Sequence, residues 1–322
     1  MKMNKAFFKD MWNILKGTAS EFVHDKVLKM SAALAYYTVF SIAPMLIVLI
    51  GLGSIFYGKE AMQGKVVSQI DHIVGSEAAL QIQEVLTKTS LQHDNVIATA
   101  VGFIVLLIGA TGIFGEVQDS INQIWGLKAN PKKGGVMKIL LNRLVSFSMI
   151  LVMGFILLVS LMLNAMLGTF FERLQENFSG ALVDNLYLID QLVMIAVVAL
   201  LFASIFKMLP DAKIKWKDVW VGSFVTSLLF LGGKYLIGYY LEKNASISAY
   251  GAAGSLIVIL LWVYYSSIIL YFGAEFTQVY LRYHGKSIQP NRYAIWVENK
   301  VVEKKFNTDI ASPVTDKKQH NP

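Results

Sequence analysis

The sequence predicts an all-α polytopic membrane protein with six transmembrane helices, an N-terminal amphipathic helix and a small helical extracytoplasmic cap. Three observations carry that prediction. Of the 322 residues, 55% are hydrophobic and only 16% charged, against about 45–50% and about 25% in soluble domains. The apolar residues gather into six runs, at 31–56, 96–125, 139–171, 186–208, 219–241 and 249–281, each long enough for a spanning helix of roughly 20 residues. Basic residues alternate between rich and poor across successive loops, as the positive-inside rule requires.

The elements follow in chain order. Residues 1–30 form cytoplasmic amphipathic helices. Phe7, Phe8, Met11, Trp12 and Leu15 share one helical face, with Lys5, Lys9, Asp10 and Asn13 off it. This pattern suits a helix lying in the membrane interface, and it equally suits one packed on the bundle. A second short helix is expected from Ser20, a suitable N-cap, running into the first span. In that span Pro44 lacks an N–H, so the Phe40 carbonyl loses its helical partner and a kink is expected. The loop at about 57–95 carries Met62, Val66, Ile70 and Ile73 at helical spacing. After Gly75-Ser76, Ala79, Ile82, Val85 and Leu86 repeat the pattern, which predicts the two-helix cap. The transmembrane domain is thus 31–286, followed by a polar cytoplasmic tail at 287–322, whose ending SPVTDKKQHNP has the composition of disorder. No internal repeat of the kind seen in many secondary transporters is visible.

The Lys/Arg distribution sets the orientation. Lys2, Lys5, Lys9, Lys16, Lys26 and Lys29 precede the first span. Lys128, Lys132, Lys133, Lys138 and Arg143 lie between the second and third, Lys207, Lys213, Lys215 and Lys217 between the fourth and fifth, and a further basic set follows the sixth. The intervening loops are poorer, with Arg173 alone in one and Lys243 alone in another. Both termini are therefore expected in the cytoplasm. The net charge of +7 belongs to this pattern, and no nucleic-acid partner is expected. No cleavable signal peptide is expected either, because the first 30 residues never form a continuous apolar core.

The sequence also excludes chemistry. It has no cysteine, so disulfides, Cys-ligated zinc and thiol catalysis are out. His24, His72, His93, His284 and His320 are too scattered for HxH or HExxH metal sites. There is no GxSxG elbow and no GxxxxGK[ST] phosphate loop. No catalytic residue, metal or cofactor is expected, and the protein is not expected to be an enzyme.

The candidate residues are the polar groups inside apolar runs. Tyr36, Tyr37 and Ser41 precede Pro44 and form either an inward-open polar lining or interfacial and helix-to-helix contacts. Gly109, Gly112 and Gly115 permit close helix approach in the second span. Glu116, Asp119 and Asn122 follow on one face, where they line a site or simply leave the membrane. Tyr264 and Tyr265 place hydroxyls mid-way along the sixth run, and Glu275 follows a long uncharged stretch. Glu116, Asp119 and Glu275 are expected at one depth, with Arg143 as counter-charge, forming a cluster that binds a cationic group or a coupling proton. Lys234 sits near the outer end of the fifth span, at the opposite depth from Glu275, and snorkels to the interface or pairs within the membrane.

The segments SAALAYYTVFSIAPMLIVLI, GATGIFGEVQDSINQIW and YGAAGSLIVILLWVYYSSIILYFGAEF resemble the signature segments of BrkB/YihY-type bacterial inner-membrane proteins, over roughly residues 10–285. The resemblance implies six transmembrane helices in the bacterial cytoplasmic membrane. It implies envelope-related roles without a settled biochemical activity, and it carries an older label, ribonuclease BN-like, which nothing in these residues supports. The expected function is transport or flipping of a lipid or another amphiphile in envelope biogenesis, with membrane lipids as partners. A non-transport scaffold for envelope enzymes is the alternative, and a membrane-associated tRNA-processing ribonuclease ranks last.

Overall fold

A computed structural model of the protein describes residues 5–41, 112–130, 181–243 and 252–297, with isolated helical residues between 63 and 83 and between 144 and 159. The expected first three spans and the cap lie largely outside these residues, and Pro44 and Arg143 lie wholly outside. The described residues are mostly helical. They form α1 (Lys5–His24), α2 (27–41), α3 (112–124), α4 (Ala181–Met208), α5 (Trp216–Lys243) and α6 (Ala252–Tyr283). Among the described residues, three helices are long and apolar enough to cross a membrane, over Gln191–Met208, Trp216–Tyr240 and Ile257–Tyr283. They coincide with the last three predicted spans.

The N-terminal region departs from its expected form. The chain does not restart at Ser20, because α1 continues to His24 and breaks at Asp25-Lys26. Lys26 adopts a left-handed conformation, with φ of 57°, which costs a residue with a Cβ roughly 1–2 kcal/mol. The break turns the chain so that Val27, Met30 and Leu34 of α2 enter the core. Helix α1 divides its apolar residues between two faces. Met11 and Ile14 pack on Phe276 and Val279 of α6, and a Cβ on Gly17 would come within 3.1 Å of Val279. Phe8, Trp12, Leu15 and Val23 form a separate exposed stripe. Packing on the bundle and an exposed apolar stripe are therefore combined in one helix.

Helices α2 to α6 share a core that includes Phe114, Val117 and Ile121 of α3, Val198, Phe202 and Phe206 of α4, Phe230 of α5, and Leu270 and Ala274 of α6. Phe202 and Phe230 meet edge-to-face at 5.6 Å, and Phe230 meets Trp262 likewise at 5.5 Å, the geometry that the ring quadrupoles favour. One close crossing of α5 and α6 is reciprocal. A Cβ on Gly222 of α5 would overlap the Thr277 hydroxyl, and one on Gly273 of α6 would overlap that of Thr226. Each threonine hydroxyl donates back to the glycine carbonyl four residues earlier in its own helix, at 2.6 Å (Thr226) and 2.7 Å (Thr277). The close approach expected in the second run is looser. A Cβ on Gly112 would meet the Tyr37 ring at an ordinary 3.7 Å, and Gly115 faces open space.

The outer face of α5 is apolar from end to end. Exposed Trp216 and Trp220 stand near one end, exposed Tyr235, Tyr239 and Tyr240 near the other, and Phe224, Leu228 and Leu229 lie between. Trp216 and Tyr240 are roughly 36 Å apart at 1.5 Å per residue, enough to bracket a hydrocarbon core of about 30 Å with aromatic belts. The Lys243 ammonium lies 5.1 Å from the Tyr239 ring centroid.

Four segments predicted to share one side of the membrane meet at one end of the molecule. Strand β1 (Leu127–Ala129) pairs antiparallel with β4 (Ala294–Trp296), and β2 (Ala212–Lys213) with β3 (Gln289–Pro290). The registers place Leu127 opposite Trp296 and Ala212 opposite Pro290. Residues 287–297 are thus not a simple polar tail: they strap the loops after α3 and α4, with Ile288 and Ala294 buried. Gly126 and Gly285, both left-handed with φ of 65° and 67°, end α3 and α6. At Gly285 the Lys286 N–H bonds the Leu281 carbonyl at 2.9 Å, a Schellman-type stop.

Candidate functional site

Helix α6 turns one face toward α1, α2 and α3, and that face carries Tyr271 and Glu275, four residues apart. Both are fully buried, as is Ser31 of α2, which lies among the core residues Val27, Met30 and Leu34. Among the described residues, no well-formed hydrogen bond reaches the Ser31 hydroxyl, the Tyr271 hydroxyl or either carboxyl oxygen of Glu275, although Ser120 lies near the Tyr271 hydroxyl and Asp25 near the Glu275 carboxyl group. Leaving a buried polar group unsatisfied costs about 1–3 kcal/mol, and more for a charge.

The charges around Glu275 come from an unexpected quarter. Asp25 and Glu21, one turn apart at the end of α1, act on it together with Arg282. Arg282 itself pairs with Glu21 at 2.7 Å. The site is positioned by the packing of α1 along the last turns of α6, fastened further by the Tyr283 hydroxyl donating to Asp10 at 2.6 Å. On the α3 side, the buried Trp125 indole N–H donates to the Ala274 carbonyl at 3.1 Å. Ser120 and Glu116 lie against the Tyr271 hydroxyl.

The sequence candidates therefore separate. Glu116 is half-buried and acts electrostatically with the exposed Asp119. Among the described residues the charges acting on Glu275 are Asp25, Glu21 and Arg282, because α1 folds back onto α6 and brings its own carboxylates there, while the expected counter-charge Arg143 lies outside the described residues. Asn122 is a buried tie. Its amide donates to Asp211 Oδ2 at 3.2 Å, and its carbonyl accepts from the Asp211 N–H at 2.8 Å. Asn291 completes the knot by donating to Asp211 Oδ1 at 3.0 Å. Tyr36 and Tyr37 are 61% and 44% exposed, with the Tyr36 ring against those of Tyr37 and Phe40. Ser41 is buried. Tyr264 and Tyr265 are half-buried, and the Tyr265 hydroxyl sits where a Cβ on Gly233 would be. Lys234 is half-buried and does not figure among the charges acting on Glu275.

Sequence reasoning missed Ser31, Tyr271, Glu21, Asp25 and Arg282. One signal was present: Glu21 and Asp25 share a helix face directly before the first span, as Tyr271 and Glu275 share one in the sixth. Two carboxylates and one guanidinium thus act on the buried Glu275 carboxyl group from the partly exposed end of α1 and the last turn of α6. Among the described residues no group of three or more His, Cys, Asp or Glu is placed to hold a metal ion.

The family model described as "Virulence factor BrkB" matches residues 18–294. A UPF0761 membrane protein of Psychrobacter sp. is 25% identical over 271 residues, covering 84% of this chain and 48% of the relative. One from Aeromonas salmonicida is 24% identical over 260 residues, covering 80% of this chain and 85% of the relative. One from Vibrio campbellii is 26% identical, covering 79% and 77%. The chain thus spans about half the length of the Psychrobacter relative and most of the other two. No solved structure matches the chain.

Proposed function

Since the chain belongs to the virulence factor BrkB family of membrane proteins, we propose that it moves a lipid or another amphiphile across the cytoplasmic membrane. In this reading the protein crosses the membrane six times, both termini face the cytoplasm, and it performs no catalysis of its own. The observation that carries the proposal is Glu275, a fully buried carboxyl group on a helix apolar enough to span a membrane. Ionisable residues in such helices face the bundle interior and mark substrate or proton pathways. Glu275 binds the cationic group of the cargo or a coupling proton, Tyr271 offers a hydroxyl one turn before it, and Asp25, Glu21 and Arg282 set the field. The orientation draws support from the base of the molecule, where the loops after α3 and α4 and the strap bring basic residues such as Lys128, Lys213 and Arg292 to one end.

Mass spectrometry of the lipids and small amphiphiles that co-purify with wild type and with Glu275→Gln tests the proposal. It predicts a species enriched over bulk membrane lipid and lost in the variant while folding is kept. Identical bulk lipid in both would favour the scaffold reading, in which α1 and its exposed apolar stripe matter more than Glu275. Metal-dependent RNA cleavage by the purified protein would point instead to the ribonuclease label.

A further inference from the structure

Past Glu275, the end of α6 opens into a cavity of about 520 Å³, within the roughly 300–1,000 Å³ usual for ligand sites. Trp125 and Trp296 contribute its aromatic surface, and Gln278, Arg282, Lys286 and Ser287 its polar groups. Both indole N–H groups are already used, by the carbonyls of Ala274 and Ile288 at 3.1 and 3.0 Å, so the rings offer the cavity apolar area. Among the described residues no carboxylate lines it.

The two cations keep spare donors. Arg282 gives one N–H contact to Glu21 at 2.7 Å, and Lys286 one to Asp218 at 2.6 Å. A guanidinium has five N–H donors and an ammonium three. Both cationic side chains are more than half exposed, so neither pair is locked. Ser287 accepts a bond from Gln289 at 2.7 Å and retains its own hydroxyl hydrogen. The lining is thus two cations, a hydroxyl and an amide beside apolar rings, which suits a small group with several anionic oxygens and an apolar attachment.

We propose that this cavity binds a phosphate group, carried by a lipid headgroup or free. A phosphate ester presents several strong acceptor oxygens and up to two negative charges, matching the spare donors of Arg282, Lys286 and Ser287. The indoles flank whatever the phosphate is attached to. The site lies on the same side of α6 as Glu275, since Gln278 and Arg282 follow it by three and seven residues. It deepens the transport reading by naming the chemistry of the cargo, and rests on that reading only for the movement of the ligand.

The test is binding by the full-length protein in detergent, read by native mass spectrometry. The probes are dioctanoyl phosphatidic acid, dioctanoylglycerol as its phosphate-free counterpart, and inorganic phosphate. Phosphatidic acid should be retained at least about ten-fold better than dioctanoylglycerol, and the double variant Arg282→Gln/Lys286→Gln should lose that preference. Glu21→Gln frees Arg282 from an exposed pair and should tighten binding about two- to five-fold, a gain that no folding defect would mimic. Displacement by inorganic phosphate would identify the phosphate alone as sufficient, whereas failure to displace would make the lipid the ligand. Equal retention of phosphatidic acid and dioctanoylglycerol overturns the proposal, as does a double variant that binds like wild type. If the double variant does not fold, an unchanged affinity in Glu21→Gln overturns it. A protein that binds phosphatidic acid through Arg282 and Lys286 yet moves no lipid would lose only the transport reading.

Discussion

Replacing Gly273 with alanine should destabilise the protein, although the same change at Gly232 should stabilise it. Glycine in a helix interior costs about 0.8–1.0 kcal/mol relative to alanine, so propensity alone favours the substitution. At Gly273 the added Cβ would overlap the Thr226 hydroxyl and lie 2.9 Å from Thr226 Cβ and Cγ2, where carbon atoms prefer about 3.5–4.0 Å. Thr226 has little room to yield: it is buried, its hydroxyl is bonded to the Gly222 carbonyl at 2.6 Å, and a β-branched side chain in a helix has few rotamers. The helices must part by several tenths of an ångström, which also loosens the reciprocal contact of Gly222 with Thr277. Overpacking of this kind costs about 1–3 kcal/mol, leaving a net loss of roughly 0–2 kcal/mol after the propensity gain. Gly232, with nothing within 4 Å of its added Cβ, is the control and should gain up to about 1 kcal/mol. Adding Thr226→Ala to Gly273→Ala removes the obstructing atoms and should recover most of the loss, giving a coupling energy of about 0.5–3 kcal/mol. Thermal or denaturant unfolding in detergent micelles reads all four proteins. Equal stabilisation by Gly273→Ala and Gly232→Ala, or no rescue by Thr226→Ala, would refute the crossing geometry.

Other perturbations have equally definite outcomes. Asn122→Ala leaves the buried Asp211 without two of its bonds and should cost about 1–3 kcal/mol in the same unfolding assay, and limited proteolysis should cut sooner between α4 and α5. Lys26→Gly relieves the left-handed strain and should hold or raise the unfolding midpoint, whereas Lys26→Val should lower it by the equivalent of roughly 1 kcal/mol or more. Lys286→Ala, which breaks a partly exposed pair with Asp218, should change stability by less than about 1 kcal/mol. The chain has no native cysteine, so single cysteines can map lipid contact directly. One at Phe224 or Leu228 should react with a membrane-embedded maleimide, and one at the buried Phe206 should not.

The helices after residue 181 were legible because their apolar runs are long and uninterrupted. The ends of α4, α5 and α6 depart from the expected limits by five residues or fewer, since only their caps are locally encoded. The break at Asp25-Lys26 was not legible, because lysine carries no turn signal and its strained backbone is held by the burial of Val27 and Met30. The α5–α6 crossing was written in plain sight as two Gly-x-x-x-Thr segments, Gly222 to Thr226 and Gly273 to Thr277, but only the fold shows that each glycine receives the other helix's threonine. Glu275 was recognisable from the uncharged run before it. Its partners were not, since Glu21 and Asp25 reach it only because α1 turns back along α6. The Asn122–Asp211–Asn291 knot joins residues 89 and 80 positions apart, and no local pattern encodes such a contact.

The most direct test of the transport account is lipid translocation in proteoliposomes. Vesicles of polar membrane lipid carrying a trace of headgroup-labelled fluorescent phospholipid are quenched from outside with dithionite. Wild type should expose inner-leaflet label well above the protein-free rate, Glu275→Gln should return it to that rate while remaining folded and monodisperse, and Glu275→Asp should retain part of the activity. Wild-type vesicles that behave as protein-free ones, or a Glu275→Gln protein as active as wild type, would contradict the claim that the buried Glu275 core is where this protein handles its cargo.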